Sequence, residues 1–432
     1  MSSSVADIAR RVRRLAGDRS FLLYLANFGL GKGIAFVGPI ALGLTLGPQL
    51  YGALEFGLAL AAIIAMLAAA GTPQAVMQLV LMRERRIDDL LFATTAVVAA
   101  LSLTCAVALT WLDVETRWRI AAALVALCAA QQAGVAYARA HAMPNFNVWI
   151  DHAPTVIVVI VALGLSAVGG RDDARTAAQV LTILAAFVCC LSLWGWRRNA
   201  AAAVRTRFSE AMIVGLPILA SSLIGVWIVA SGRVWMGLLL GDADVHAWAF
   251  TFRVASLLVL VHAIVATGFA AKLYKMPTRR FDPIAATLVG VVAVLAVLFV
   301  VFSPEKIAAH WLAKDAARIL EARPAVALVS SQVFFWVAGA IVEVRVARAR
   351  AAWIAMFASF AIVLATSLAI TVFHAANQLD FRTLAALLLV QQIALCGALH
   401  LSLWRRRTPA RRAALATLIG GCIVVGLAIA RS

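Results

Sequence analysis

The amino-acid sequence predicts an all-α, polytopic transmembrane protein of about thirteen spans in two six-helix lobes, and three observations predict it. The chain is 64% hydrophobic with a mean hydropathy of +0.95. A soluble domain is about half apolar, so the excess must face lipid. Charged residues make up only 13% and cluster between long apolar runs. Each run reaches the roughly 20 residues that a helix needs to cross about 30 Å of hydrocarbon. Lys and Arg are also unequally divided between alternate connections, as orientation in a bilayer requires. Segments of about ten alternating residues are absent, which excludes a β-barrel.

The apolar runs place spans at 21–46, 50–72, 88–112, 117–138, 148–169, 176–196, 211–238, 246–271, 283–303, 324–344, 352–373, 382–404 and 412–430. With the N-terminus in the cytoplasm, twenty-five of the 38 Lys and Arg residues fall in inside segments and ten outside. Only Lys32, Arg233 and Arg253 lie within spans. This positive-inside bias supports both orientation and span count, and it puts the C-terminus outside. The final span is also compatible with a re-entrant or interfacial hairpin. Trp111 and Trp118 flank an outside turn, while Trp149, Trp194, Trp196, Trp353 and Trp404 mark inside ends, the belt position of indole. Val5, Ile8, Val12 and Leu15 share one face of an expected amphipathic helix on the inner surface, and residues 305–321 form an outside counterpart. The basic start is followed by a run too long for a signal peptide.

The formal charge of +18 does not indicate nucleic acid, because the cations sit at helix ends on one side of the membrane. Cys105, Cys128, Cys189, Cys190, Cys396 and Cys422 lie inside apolar runs without metal-ligand spacing and read as small buried hydrophobes. No loop is long enough for a folded soluble domain. No nucleotide loop, metal set or nucleophile–base pair is present, so a non-enzyme is expected, with no cofactor.

Residues 46–59, LGPQLYGALEFGLA, align with 240–253, LGDADVHAWAFTFR, at a shift of 194. Gly47 falls on Gly241 and Phe56 on Phe250. The first segment joins spans one and two, the second spans seven and eight. This is a parallel repeat of six-span lobes related by an axis along the membrane normal. The expected organisation is a basic amphipathic segment at 1–20, an N-lobe at 21–205, a C-lobe at 206–404 and an additional C-terminal span at 411–432.

Span one, NFGLGKGIAFVGPIALGLTLG, followed by YGALEF and AAAGTPQAV, resembles the opening of the polysaccharide and O-antigen flippases of the multidrug/oligosaccharidyl-lipid/polysaccharide (MOP) exporter superfamily. In the second lobe, GLPILASSLIGVWIVASGRVWMGLLLG resembles that family's GLP opening and Asp-Arg pair, and HAWAFTFRVASL its Gly-x-Tyr-x-x-x-x-basic stretch. Here Gly232 stands for the Asp, His246 for the Gly and Trp248 for the Tyr, while Arg233 and Arg253 hold the matching positions. The resemblance implies a V-shaped fold, like that of MATE exporters, with a cavity between lobes. It implies a multi-pass protein of a bacterial inner membrane. Its activity would be to flip an undecaprenyl-pyrophosphate-linked oligosaccharide for surface polysaccharide, O-antigen or lipopolysaccharide biosynthesis. The implied partners are that lipid-linked substrate, membrane lipids and other polysaccharide assembly proteins. An ion-coupled drug or metabolite antiporter of the same superfamily is the alternative. A membrane polymerase or glycosyltransferase is a further one, but it would need an outside loop with catalytic acids or arginines.

A charge at the bilayer centre costs about 2.5–3.5 kcal/mol on insertion scales, so each one needs a reason. Lys32, between Gly31 and Gly33, reads as a cavity cation for a pyrophosphate or as half of a structural ion pair. Arg233 and Arg253 have the planar fork that suits pyrophosphate, with snorkelling as the other reading for Arg233. Glu55 is expected at the depth of Arg253, either paired with an arginine or binding a coupling proton or Na+. His262 and Glu343 are further ion-coupling candidates. His262 also reads as a packing histidine, because it lies nearly opposite Arg253 on its helix. Glu343 shares a face with Gln332. Asp151 and His152, at the start of span five, and Glu343, at the end of span ten, read as capping or solvated groups. Gln131, Gln132, Gln391 and Gln392 are expected to make interhelical hydrogen bonds. Pro39 and Pro217 are expected to bend spans one and seven.

Overall fold

The computed structural model describes residues 19–83, 88–141, 143–170, 173–199, 204–259, 276–302, 323–348, 352–406 and 410–431. Those residues form helices and turns, with no strand among them. In chain order the helices are α1 (Arg19–Thr45), α2 (Pro48–Ala68), α3 (Thr72–Arg83), α4 (Asp88–Trp111), α5 (Thr116–Ala140), α6 (Pro144–Ala167) and α7 (Ala174–Asn199). They continue as α8 (Val204–Leu239), α9 (Asp242–Ala255), α10 (Thr278–Phe302), α11 (Arg323–Arg348), α12 (Ala352–Ala375), α13 (Phe381–Arg405) and α14 (Arg411–Arg431). Among the described residues, 11 helices are long and apolar enough to cross a membrane. A twelfth, α11, has 26 residues and contains the apolar stretch Ala327–Glu343. Expected span eight is described only through α9 and the 3-10 turn Ser256–Leu258. The amphipathic segment 5–16, the stretch 305–321 and His262 lie outside the described residues.

Two elements differ from the sequence expectation. Residues 72–83, expected as connection, form the short helix α3. Its 12 residues rise about 18 Å, too little to span, yet Ala75, Val76 and Leu79 are buried against Leu90, Leu91, Ala136 and Ala211. Gly71 (φ 78°) makes the turn into α3. A Cβ at Gly71 or at Gly215 would overlap the other's backbone, so both glycines permit close approach. Helix α8 has 36 residues, about 54 Å long. The expected basic linker from Arg197 to Arg207 is therefore helical at 197–199 and 204–207, and expected span seven, 211–238, lies wholly within α8. Pro39 sits within α1, which continues through it.

The chain divides into two compact units: Met1–Leu42 with Ala61–Leu219, and Gly43–Leu60 with Ala220–Ser432. In the first, α4, α5 and α7 pack mutually and α6 lies on α5. In the second, α11 is central, packing on α9, α10, α13 and α14, with α12 against α13. The final helix is continuous, and its 21 residues rise about 31 Å. Asp282 of α10 accepts from the backbone N–H groups of Arg412 and Ala413, at 3.1 and 3.0 Å. That caps α14 at its electropositive end. Exposed Trp111, Trp149, Trp194, Trp353 and Trp404 stand near helix ends. The cysteines divide evenly. Cys128, Cys189 and Cys396 are buried, whereas Cys105, Cys190 and Cys422 are exposed on their helices. A thiol is apolar enough for an outward face of a membrane helix, so burial inside protein was too narrow an expectation.

The repeat has a structural counterpart. Helix α1 ends at Thr45 and α8 at Leu239; α2 begins at Pro48 and α9 at Asp242. Both pairs differ by the shift of 194 found in the sequence. The hairpin tip Gly43–Leu60 groups with the second unit rather than with spans one to six. Phe250 lies where a Cβ on Gly43 would be, and Phe56 lies where a Cβ on Gly237 would be. Gly43 and Gly237 are equivalent under the repeat, and so are Phe56 and Phe250. The contact is therefore reciprocal, as in a two-fold interface.

Candidate functional site

Within the first unit, α1 and α6 run side by side. Asn27 Nδ2 donates to Asn145 Oδ1 at 3.2 Å. A Cβ on Gly31 or Gly38 would come within 2.9 Å of Val148 or Val159. These two glycines, seven apart, let the backbones approach, as small residues do between membrane helices. The approach sets Lys32 against Asp151 and His152. Lys32 Nζ lies 3.8 Å from Asp151 Oδ2, and His152 Nε2 lies 3.7 Å from the same oxygen. Charge-assisted hydrogen bonds are about 2.7–2.9 Å long, so two nitrogens converge on one carboxylate oxygen without closing on it. His152 Nε2 is buried with no hydrogen-bond partner among the described residues. The Lys32 and Asp151 side chains retain 22% and 34% exposure. Lys32 also lies over the Phe28 ring, 5.8 Å from its centroid. From α5, Gln131 Nε2 donates to the Asp151 carbonyl at 2.7 Å. Asp151 and His152 are thus neither caps nor simply solvated groups, as their place near a helix start suggested.

Within the second unit, Glu55 is buried between two guanidinium groups. Arg233 Nη1 donates to Glu55 Oε2 at 2.6 Å. Arg253 donates from Nε to Oε1 at 3.2 Å and from Nη2 to Oε2 at 3.1 Å, a bidentate pair. Arg233 Nη2 also donates to the Val229 carbonyl at 3.3 Å. Arg233 does not snorkel; its side chain is 7% exposed, against 18% for Arg253. Of the readings open from sequence, the structure pairs Glu55 with both arginines. The Arg253 fork, committed to Glu55, is not free for a ligand as it stands. His246 Nε2 lies 2.9 Å from the Gly43 carbonyl, and its ring packs on Tyr51 with centroids 4.8 Å apart.

The departures at Gly232 and Trp248 explain each other. Trp248 is fully buried, and a Cβ on Gly232 would overlap its indole. Gly232 leaves the room that the larger ring fills, and the acid otherwise expected there would not fit.

Glu343 lies elsewhere in the second unit. It lines a cavity of about 160 Å³ with Ile228, Trp336, Ser359, Gln392 and Cys396 among its walls. Gln332, expected on the same polar stripe, is buried outside that lining. The interhelical role expected for the glutamines holds for Gln131 and Gln132. The side-chain carbonyl oxygens of Gln391 and Gln392 have no hydrogen-bond partner among the described residues. Among the described residues, no three His, Cys, Asp or Glu side chains are grouped as metal ligands.

The polysaccharide biosynthesis protein family matches residues 18–271. No curated protein matches the chain. Among solved structures, the chain is similar to the eukaryotic MATE transporter AtDTX14, with a TM-score of 0.53 at 13% identity, over 95% of this chain and 99% of the other. It is also similar to an inward-facing multidrug resistance MATE family transporter of the MOP superfamily, with a TM-score of 0.51 at 11% identity, over 95% and 100%. At such identities the likeness concerns the fold, whereas the family match extends over more than half of the sequence. The chain therefore belongs to the polysaccharide biosynthesis protein family, on a multi-pass helical fold of the MATE type.

Proposed function

We propose that this protein is a flippase that moves an oligosaccharide linked to a polyprenyl diphosphate from the inner to the outer leaflet of a bacterial inner membrane. The observation that carries the reading is the pair of nitrogens, Lys32 Nζ and His152 Nε2, that converge on one oxygen position inside a span. An anion crossing apolar surroundings must be neutralised, since an isolated buried charge is strongly disfavoured. Lys32 lies eleven residues past Phe21, where the expected first span begins, about 16 Å. With the N-terminus in the cytoplasm, that puts it near the middle of the membrane, on the path of a diphosphate entering from the inner leaflet. Arg233 and Arg253 add one net positive charge beyond Glu55, and their part is to hold the α1–α2 hairpin tip to α8 and α9.

The cavity at Glu343 favours a second element of the reading. A carboxylate and an unpartnered amide oxygen in an apolar wall suit a small cation, so Glu343 is the proposed site of coupling to a proton or Na+. The same feature would serve a cationic-drug antiporter. Deletion of the gene separates the two functions. A flippase predicts lipid-linked sugar accumulating on the inner leaflet and loss of surface polysaccharide, restored by the wild-type gene and not by Lys32→Ala. Normal polysaccharide in a strain without a redundant exporter, with sensitivity to cationic dyes instead, would overturn the flippase reading.

A further inference from the structure

We propose that Asp151 is a specificity-determining residue: as the resident counter-ion of Lys32, it admits a diphosphate head group and turns away the single-phosphate head groups of bulk phospholipids. The inference rests on the reading of Lys32 as the head-group cation.

A cation that can be reached from the inner leaflet faces a selectivity problem. Anionic phospholipids there carry one phosphodiester charge and far outnumber any lipid-linked sugar. A bare Lys32 would hold one of them. Asp151 Oδ2 already occupies the position between Lys32 Nζ and His152 Nε2. A phosphodiester brings the same single charge as Asp151, so replacing the carboxylate gains no net attraction. It also competes with a group tethered on the neighbouring helix, whose effective concentration is high. Rejection by an unfavourable juxtaposition of like charge is an ordinary route to specificity.

A diphosphate differs in two respects. It carries at least one further negative charge, so Lys32 is held more strongly by it than by Asp151. It also has a second phosphate with its own acceptor oxygens. His152 Nε2 has no hydrogen-bond partner among the described residues and sits beside the position Asp151 Oδ2 now fills, so each phosphate finds one nitrogen. The exposed Arg139, near the inner end of α5, adds positive potential at Lys32. The resident contact is loose enough to be displaced, because neither donor lies within hydrogen-bonding distance of Oδ2. Asp151 is partly exposed, and it can turn away from Lys32 when a more highly charged ligand enters.

The test uses the full-length protein in neutral detergent micelles, with radiolabelled farnesyl diphosphate as ligand and dihexanoyl phosphatidylglycerol as competitor. For the wild type, the phospholipid should fail to displace the diphosphate even in large excess. For Asp151→Asn, its half-displacing concentration should fall about tenfold to a hundredfold, the worth of one charge-assisted contact. Asp151→Glu should restore rejection. Lys32→Ala should bind neither. Asp151→Ser is a second neutral variant should the Asn protein not be monodisperse. Equal displacement in wild type and in the neutral variants, with diphosphate binding intact, would overturn the filter and leave the head-group site standing. Absence of farnesyl diphosphate binding in every version would remove the site itself, and the filter with it.

Discussion

Two guanidinium groups share one carboxylate in the second unit, and that ratio ranks the consequences of removing each. Glu55→Gln keeps the side-chain volume and leaves two cations facing each other in a buried site. Arg233→Gln leaves the bidentate Glu55–Arg253 pair, a neutral unit with its two contacts at 3.2 and 3.1 Å intact. Arg253→Gln leaves the 2.6 Å contact of Arg233, again neutral. Breaking a buried pair so that a charge is uncompensated costs about 3–5 kcal/mol. Losing a hydrogen bond to a charged group where the remaining pair is neutral costs about 1.5–3 kcal/mol. Glu55→Gln should therefore be the most harmful of the three. For a unit of this size, about 2–4 °C accompanies each kcal/mol, so its melting temperature should fall by roughly 10 °C, and those of the arginine variants by about half as much. The assay is thermal unfolding in detergent, read as retention of the monodisperse peak. Replacing all three residues by leucine removes every charge and should return most of the loss, because buried ion pairs are often no more stabilising than apolar residues of similar volume. The reasoning fails if either single arginine variant is as unstable as Glu55→Gln, or if the triple variant is worse than all three singles.

Gly232→Asp, the residue found in the family pattern, should unfold at lower temperature alone and recover at least half of the loss when combined with Trp248→Tyr; additive losses in a double-mutant cycle would contradict the proposed exchange of volume. At the turn before α5, the hydrogen bond from Arg119 Nη2, at 2.7 Å, holds the Asp113 carboxyl below the usual carboxylate range. Its stabilisation is present above the unfolded pKa and is lost as pH falls through the lower folded value. Asp113→Asn, which suits the left-handed backbone there (φ 47°), should therefore differ little from wild type in melting temperature above pH 5, because the site is exposed, and that small difference should vanish in strong acid. Reporters fused after Arg207 and within 374–380 should read cytoplasm and outside respectively; reversal at either site would overturn the orientation.

The spans were legible because lipid imposes a length on each of them, and length is local in sequence. What defeated the reading at α3 was the same rule applied in reverse. Its apolar run is too short to cross a bilayer, so it looked like connection, although Ala75, Val76 and Leu79 find a protein core instead of lipid. The hairpin tip Gly43–Leu60 shows another limit. Chain order assigns it to the first half, and the repeat at a shift of 194 fixes its helix ends, but neither gives its packing partner. The reciprocal Gly43–Phe250 and Gly237–Phe56 contacts do. Once the tip packs there, Glu55 is carried to Arg233 and Arg253. The pairing follows a rule that the sequence did contain, since a carboxylate and two arginines of similar expected depth are each too costly to bury alone. Lys32 obeys the same rule with Asp151, but the residues that set the contact are glycines, which carry no charge signal. Gly31 and Gly38 bring α6 against α1, and only that approach turns two residues near a helix start into the counter-ion and neighbour of an intramembrane lysine. Depth alone narrows the candidates for each partner, while small residues facing small gaps decide which candidate is met. A site of this kind is therefore read best by pairing the charge ledger of the spans with the positions where backbones can touch.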